Sequence, residues 1–185
     1  MRLKVIDKQF NCPDCFVCGT KNPFGLNTRF YILEDDILVG ITTGKFEHNS
    51  YPGRMHGGII SALLDETIGR AIQNKDKQQF GVTVDLHIKY MKPTPLEEKL
   101  YIFGKIADQN RFTFKGIGYL VSESGVVCAR GDAVYFKLNQ EQITQEDYEW
   151  YQVEGEDDPL DFEIPDEVYE KLLNGEKSIC GLLIY

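Results

Sequence analysis

The longest apolar pattern in the chain has helical spacing. Ile60, Leu64, Ile68 and Ala71 form one stripe, and Ile59, Ala62, Leu63 and Ile72 widen it well past the single face of a surface helix. The pattern predicts a helix over residues 57–74 that is buried nearly all round. Two short alternating stretches precede it, residues 26–33 and 37–43, and the turn-forming Glu34-Asp35-Asp36 between them predicts a hairpin. After the helix come long stretches rich in alternating, β-branched and aromatic residues: 80–91, 100–107, 112–121 and 126–138, the last two joined through Ser124-Gly125. Residues 10–26, broken by Pro13, Gly19, Pro23 and Gly25, read as loop, as do residues 46–55 leading into the helix. The order is strands, one helix, then three or four strands. A helix apolar on several sides must be covered on several sides, so the expected class is α+β, a curved antiparallel sheet wrapped around one long central helix.

Composition refines this picture. A chain of 185 residues with 42% hydrophobic content suffices for one core, not two comfortable domains. The net charge of −9 is unevenly spread: residues 140–185 hold fourteen acids against two lysines, net −12, while residues 1–139 hold fifteen acids against eighteen bases, net +3. The expected organisation is therefore a body over 1–139 and an acidic C-terminal extension over 140–185. The extension holds a short helix candidate at 165–173, with Pro165 where its missing N–H does no harm. It also holds the aromatic Tyr148-Glu149-Trp150-Tyr151 and an apolar end over 179–185, so it is expected to dock on the body. With no basic stripe, nucleic acid is not an expected partner. No run of about eighteen apolar residues is present and residues 1–7 lack a signal-like apolar stretch, so neither a membrane partner nor export is expected. Five cysteines, an odd number, fit reduced thiols and a cytoplasmic location.

The candidate chemistry lies on the predicted helix. Gly57 and Gly58 at its start allow close approach to backbone N–H groups at the positive end of the helix dipole, a ready site for an oxyanion. Asp65, seven residues beyond Gly58, returns to nearly the same face after about 700° of rotation. Its neighbour Glu66 has Arg70 at i+4, a favourable helical ion pair, whereas Asp65 has Ser61 at i−4 and Gly69 at i+4 and so no local cation. A structural, hydrogen-bonded Asp65 and a catalytic one both remain open on this reading. Seven residues at about 1.5 Å each place Gly58 and Asp65 roughly 10 Å apart along the axis, too far to act on one carbonyl. If both act, the site is composite: two helices paired about a two-fold axis set the glycine end of one against the Asp of the other.

The run Ser50-Tyr51-Pro52-Gly53-Arg54-Met55-His56-Gly57-Gly58, followed by Ala62-Leu63-Leu64-Asp65-Glu66, resembles the His-Gly-Gly helix entrance and downstream Asp of the PaaI-like hot-dog-fold acyl-CoA thioesterases. Cys15-Phe16-Val17-Cys18-Gly19 with Asn22-Pro23-Phe24-Gly25-Leu26, and the stretch from Val82 to Pro95, are similar to further segments of that family, so the resemblance spans about residues 12–138. It implies a hot-dog fold, homodimers or homotetramers, and hydrolysis of an acyl-CoA with no cofactor and no metal. On that basis Gly57, with Gly58, supplies the oxyanion contact, Asp65 is general base or nucleophile, and His56 positions the helix entrance. Relatives commonly carry Asn or Gln seven residues before the first glycine; here Ser50 stands there beside Asn49, and either is a candidate to hold the carbonyl. Glu66, Tyr90 and Lys92 complete the candidate substrate contacts. Lys89 and Arg111 could meet coenzyme A phosphates, although strand-end cations are usually just solvated, and Phe114 reads as core or pocket wall.

Cys12, Cys15 and Cys18 form two overlapping C-x-x-C spacings, the start of a zinc pattern, but no fourth ligand lies near in sequence, and buried or loop thiols are the expectation. Two rival functions stay in view. A hot-dog acyl-CoA binding or regulatory protein would need no Asp65, and an enoyl-thioester hydratase on the same fold would pair an Asp with a His such as His87.

Overall fold

The computed structural model describes residues 1–144, 151–152 and 158–174. Eight strands form one antiparallel sheet in the order β4-β7-β6-β5-β3-β2-β1-β8: β1 Arg2–Lys8, β2 Arg29–Leu33, β3 Leu38–Thr43, β4 Gln79–Tyr90, β5 Lys99–Gln109, β6 Thr113–Ser122, β7 Val127–Asn139 and β8 Asp161–Glu163. The sheet curls around α1, Gly57–Arg70, which continues as a short 3₁₀ turn over Ala71–Asn74. Two further helices are α2, Gln140–Ile143, and α3, Asp166–Asn174.

Strand alternation divides the interior into two cores. In β6, Phe114 and Leu120 face α1, while Ile117, Tyr119 and Val121 face the other way. The first core seats Ile60, Leu63, Leu64 and Ile68 against Phe30, Ile32, Leu38, Ile102 and Phe114. Close approach of α1 requires glycine in β6: a Cβ on Gly116 or Gly118 would lie 2.4 or 2.7 Å from the Ile68 side chain. The second core, on the convex face, joins Leu3, Tyr31, Val39 and Phe103 to Phe162, Ile164, Val168 and Leu172 of the C-terminal segment. Val168 and Leu172, one turn apart on α3, are the apolar anchors, each worth about 2 kcal/mol of burial.

Four sequence expectations change. The 26–33 stretch becomes a strand only from Arg29, because Asn27 adopts a left-handed conformation (φ 51°) that breaks extended pairing. Two strands, β1 and β8, were not read from the pattern: each is exposed on alternate residues, β1 becoming a strand by pairing with β2 and β8, and β8 by pairing with β1. The α-helix proper ends at Arg70 rather than at Asn74. Nor is α1 buried all round, since Ile59, Ala62, Asp65, Glu66 and Gly69 keep a half-covered face. The predicted C-terminal helix is present as α3, whereas the Tyr148-Glu149-Trp150 run and the apolar end over 179–185 lie outside the described residues.

Candidate active site

At the entrance of α1, His56 caps the helix: its backbone is extended (φ −66°, ψ 138°) and its Nδ1 accepts from Gly58 N–H at 2.9 Å. That bond occupies the Gly58 amide and holds the His56 ring at the helix entrance. Gly57 N–H has no acceptor among the described residues, and it sits where the helix dipole is positive. The Gly57 carbonyl is held by Tyr90 OH (3.0 Å) and Ser61 Oγ (3.1 Å), which also touch each other at 2.8 Å. A cleft of about 430 Å³ opens here, lined by Ser50, Arg54, Met55, Gly57, Tyr90 and Lys92 among others. Ser50, Gly57, Tyr90 and Lys92 are thus brought together, with two cations, Arg54 and Lys92, at hand for an anionic ligand. Asn49 does not line this cleft; its Oδ1 is buried with no hydrogen-bond partner among the described residues.

Asp65 belongs to a second, smaller cleft of about 140 Å³, lined by Glu66, Gly69, Arg70, Phe80, Thr83 and Tyr135 among others. Its Oδ1 accepts from Thr83 Oγ1 at 2.9 Å and from Tyr135 OH at 3.0 Å, and Tyr135 OH also donates to the Asp65 backbone carbonyl at 2.9 Å. Oδ2 has no partner among the described residues. Burial pushes the Asp65 carboxyl above its ordinary 3.8, and the negative charge of Glu66 adds to that; the two hydroxyls pull the other way and only partly offset it. Burial and the adjacent carboxylate in turn drive the Tyr135 hydroxyl far up, so it stays a donor.

The two hydroxyls come from one cross-strand pair, Thr83 on β4 opposite Tyr135 on β7, next to a bulge between Thr83 and Asp85. Tyr135 stacks on Phe114 with ring centroids 4.8 Å apart. Sequence reasoning missed both Thr83 and Tyr135. The available signal was glycine: a Cβ on Gly69 would lie 3.0 Å from the Tyr135 ring, and one on Gly81 would lie 2.5 Å from Phe114, so these glycines clear space for the aromatic pair.

Glu66 behaves as its spacing predicts: Arg70 Nε donates to its Oε1 at 2.6 Å. Arg70 is buried, and its Nη1 also donates to the Phe10 carbonyl at 2.8 Å. His87 lies on the face of β4 opposite to Leu86 and Ile88, which pack toward α1, so one protomer does not pair it with Asp65. Lys89 on β4 is exposed, as is Arg111 in the β5–β6 turn, where its guanidinium lies over the Phe112 ring. Phe114, fully buried, is core. Cys15, Cys18 and Glu66 place their ligand atoms within 4.8 Å of one another, and Cys12 is outside that group. No helix of the described residues is long and apolar enough to cross a membrane.

Comparison with known proteins adds an independent line. A sequence profile of the thioesterase superfamily matches residues 52–129, the stretch that holds the helix entrance, Asp65 and β4. The human protein acyl-coenzyme A thioesterase 13 is 29% identical over 109 residues, which is 54% of this chain and 78% of the human one. Among solved structures, a thioesterase superfamily protein superposes with a TM-score of 0.62 at 27% identity, over 67% of this chain and 60% of the other. A hypothetical thioesterase from Streptococcus pneumoniae, solved with coenzyme A, gives a TM-score of 0.53 at 25% identity, over 57% of this chain and 84% of that one. The curled sheet around α1 and these likenesses converge: the fold is the hot-dog fold, and over residues 52–129 the chain is similar to the thioesterase superfamily.

Proposed function

We propose that this protein hydrolyses an acyl-coenzyme A to the free acid and CoA in a site shared by two subunits. The observation that carries the reading is the division of the chemistry between two clefts of one chain: an amide donor without an acceptor at Gly57, and a carboxylate without a cation at Asp65. Neither half suffices alone. The likeness to a thioesterase solved with coenzyme A favours an acyl-CoA as substrate, and Arg54 and Lys92 beside Gly57 suit its phosphates.

Pairing with a second copy fits the exposed edge of the sheet. Among the described residues strand β4 is paired only on its β7 side, Val82 and Val84 on it are 45% and 63% exposed, and the face of α1 that bears Asp65 is only half covered. In such a pair, Gly57 N–H of one subunit receives the thioester oxygen as it becomes an oxyanion. Asp65 of the other, held by Thr83 and Tyr135 through Oδ1, uses its free Oδ2. As a general base it takes a proton from water while that water adds to the carbonyl; as a nucleophile it adds itself and the acyl-Asp is then hydrolysed. Either way the C–S bond breaks as the oxyanion collapses, and the CoA thiolate leaves and takes up a proton. The opposite placement of His87 weighs against the hydratase reading.

The test is release of free CoA thiol from a panel of short, medium, long and aromatic acyl-CoAs, with Asp65→Ala as the control. Turnover that disappears in the variant supports the reading. A chain that binds acyl-CoA but releases no thiol from any of them is a binding protein instead.

A further inference from the structure

The proposed hydrolysis leaves unused a partly buried group of reactive side chains behind α1. The turn Cys12-Pro13-Asp14-Cys15-Phe16-Val17-Cys18-Gly19 folds so that Cys15 Sγ accepts two backbone N–H groups, from Val17 at 3.3 Å and Cys18 at 3.5 Å. Cys18 Sγ accepts from Cys12 N–H at 3.4 Å and from the Arg70 guanidinium, Nη2, at 3.2 Å. The turn is closed by Gly19 N–H on the Cys15 carbonyl at 2.9 Å. Only glycine fits that corner, because a Cβ there would sit 2.4 Å from the Cys15 and Pro13 carbonyls. Arg70 is held from its other sides by Glu66 and the Phe10 carbonyl, and it lies 4.8 Å over the Phe30 ring.

We propose that Cys15 and Cys18 are an oxidisable thiol pair, in which Cys15 attacks a hydroperoxide and Cys18 closes a reversible disulfide. Cys15 is the partly exposed member and Cys18 the buried one, so the first is reachable and the second is poised to resolve. Their sulfurs already lie within the same 4.8 Å group, three residues apart on one turn, and need no rearrangement of the strands to meet. The neighbouring Cys18 thiol, helped to a smaller extent by the two amide donors, brings the Cys15 thiol down to about 6, against burial and the Glu66 carboxylate, which oppose it. The reaction balances as two steps. The Cys15 thiolate attacks one peroxide oxygen, the O–O bond breaks, and an alcohol or water leaves while Cys15 becomes a sulfenic acid. Cys18 then displaces that oxygen as water and forms the S–S bond, two thiols having supplied the two electrons. A resident metal is the weaker assignment, because only three donors converge and the Arg70 cation already stands against Cys18. This inference does not rest on the hydrolase reading.

The test uses the full chain, reduced and then exposed to hydrogen peroxide at a few equivalents, alkylated and digested with trypsin. Lys8 and Lys21 bound a single peptide that holds Cys12, Cys15 and Cys18. The expected product has lost two of its three alkylatable thiols, is lighter by two hydrogens, carries its alkyl group on Cys12, and regains the other two thiols with dithiothreitol. In Cys18→Ser, Cys15 stops at a sulfenic acid that a dione reagent traps. Three thiols surviving peroxide, an alkyl group found on Cys15 or Cys18, or a stoichiometric zinc that protects the thiols in the purified protein would each overturn the assignment.

Discussion

Asp65 and Glu66 are consecutive residues of one helix, and the molecule treats them in opposite ways. The Glu66 carboxylate meets a buried guanidinium at 2.6 Å, and that cation is anchored in turn by a backbone carbonyl and a cysteine sulfur. The Asp65 carboxylate, one residue earlier, meets two hydroxyls and no cation, and its burial lifts its proton affinity. Compensated charge ties α1 to the N-terminal turn. Uncompensated charge costs stability and leaves a carboxylate with affinity for a proton and a free oxygen facing a cleft, which is what a general base requires.

Substitution of the uncompensated carboxylate separates the two functionally. Asp65→Asn keeps an oxygen for Thr83 and Tyr135 but removes the base, so kcat on the preferred acyl-CoA should fall about 10²- to 10⁴-fold. The same variant should not be less stable at neutral pH. Because the folded-state pKa of Asp65 is raised, its contribution to stability is fully present below the ordinary 3.8 and is lost as pH rises through the higher folded value. Thermal melts of wild type and variant should therefore diverge in the variant's favour as pH rises through that window. A variant that melts lower at neutral pH would make Asp65 a structural residue like its neighbour.

Glu66→Gln should reverse the pattern. It leaves Arg70 buried without its carboxylate, at a cost of about 3 kcal/mol, the low end for a buried pair because Glu66 is partly solvated. Denaturant titration should show that loss, with a smaller fall in kcat than Asp65→Asn. The finest distinction comes from Tyr135→Phe. Removing a hydroxyl that favours the charged form raises the Asp65 pKa further, so the acidic limb of the pH–rate profile should move to higher pH, with about a tenfold loss of rate near neutrality. An unmoved limb would mean that Asp65 does not set the rate.

The same comparison explains what could be read from sequence. Glu66 and Arg70 are a local i,i+4 pair, so spacing alone identified them, and it identified Asp65 by the absence of any such partner. The strands around α1 were legible because alternation is local too. Thr83 and Tyr135 were not, since they meet Asp65 through a cross-strand register beside a bulge, which no local pattern encodes. Nor were β1, which pairs with β2 and β8, and β8, which pairs with β1 across more than 150 residues of chain. The contact of Cys18 with Arg70 likewise depends on how an irregular loop folds back on α1.

If Gly57 of one subunit and Asp65 of the other serve one substrate, subunit mixing restores activity that neither variant has alone. Gly57→Pro deletes the amide hydrogen at the first helical position, where proline is tolerated and the preceding His56 already has a compatible extended backbone. Alone, it should cost about 10²- to 10³-fold in rate. When Gly57→Pro and Asp65→Asn chains are combined in equal amounts, unfolded together and refolded, about half of the dimers are mixed, each mixed dimer holds one intact site of two, and about a quarter of wild-type activity should return. Activity that stays at the level of the inactive parents, in a sample where mixed dimers are present, would contradict the shared site.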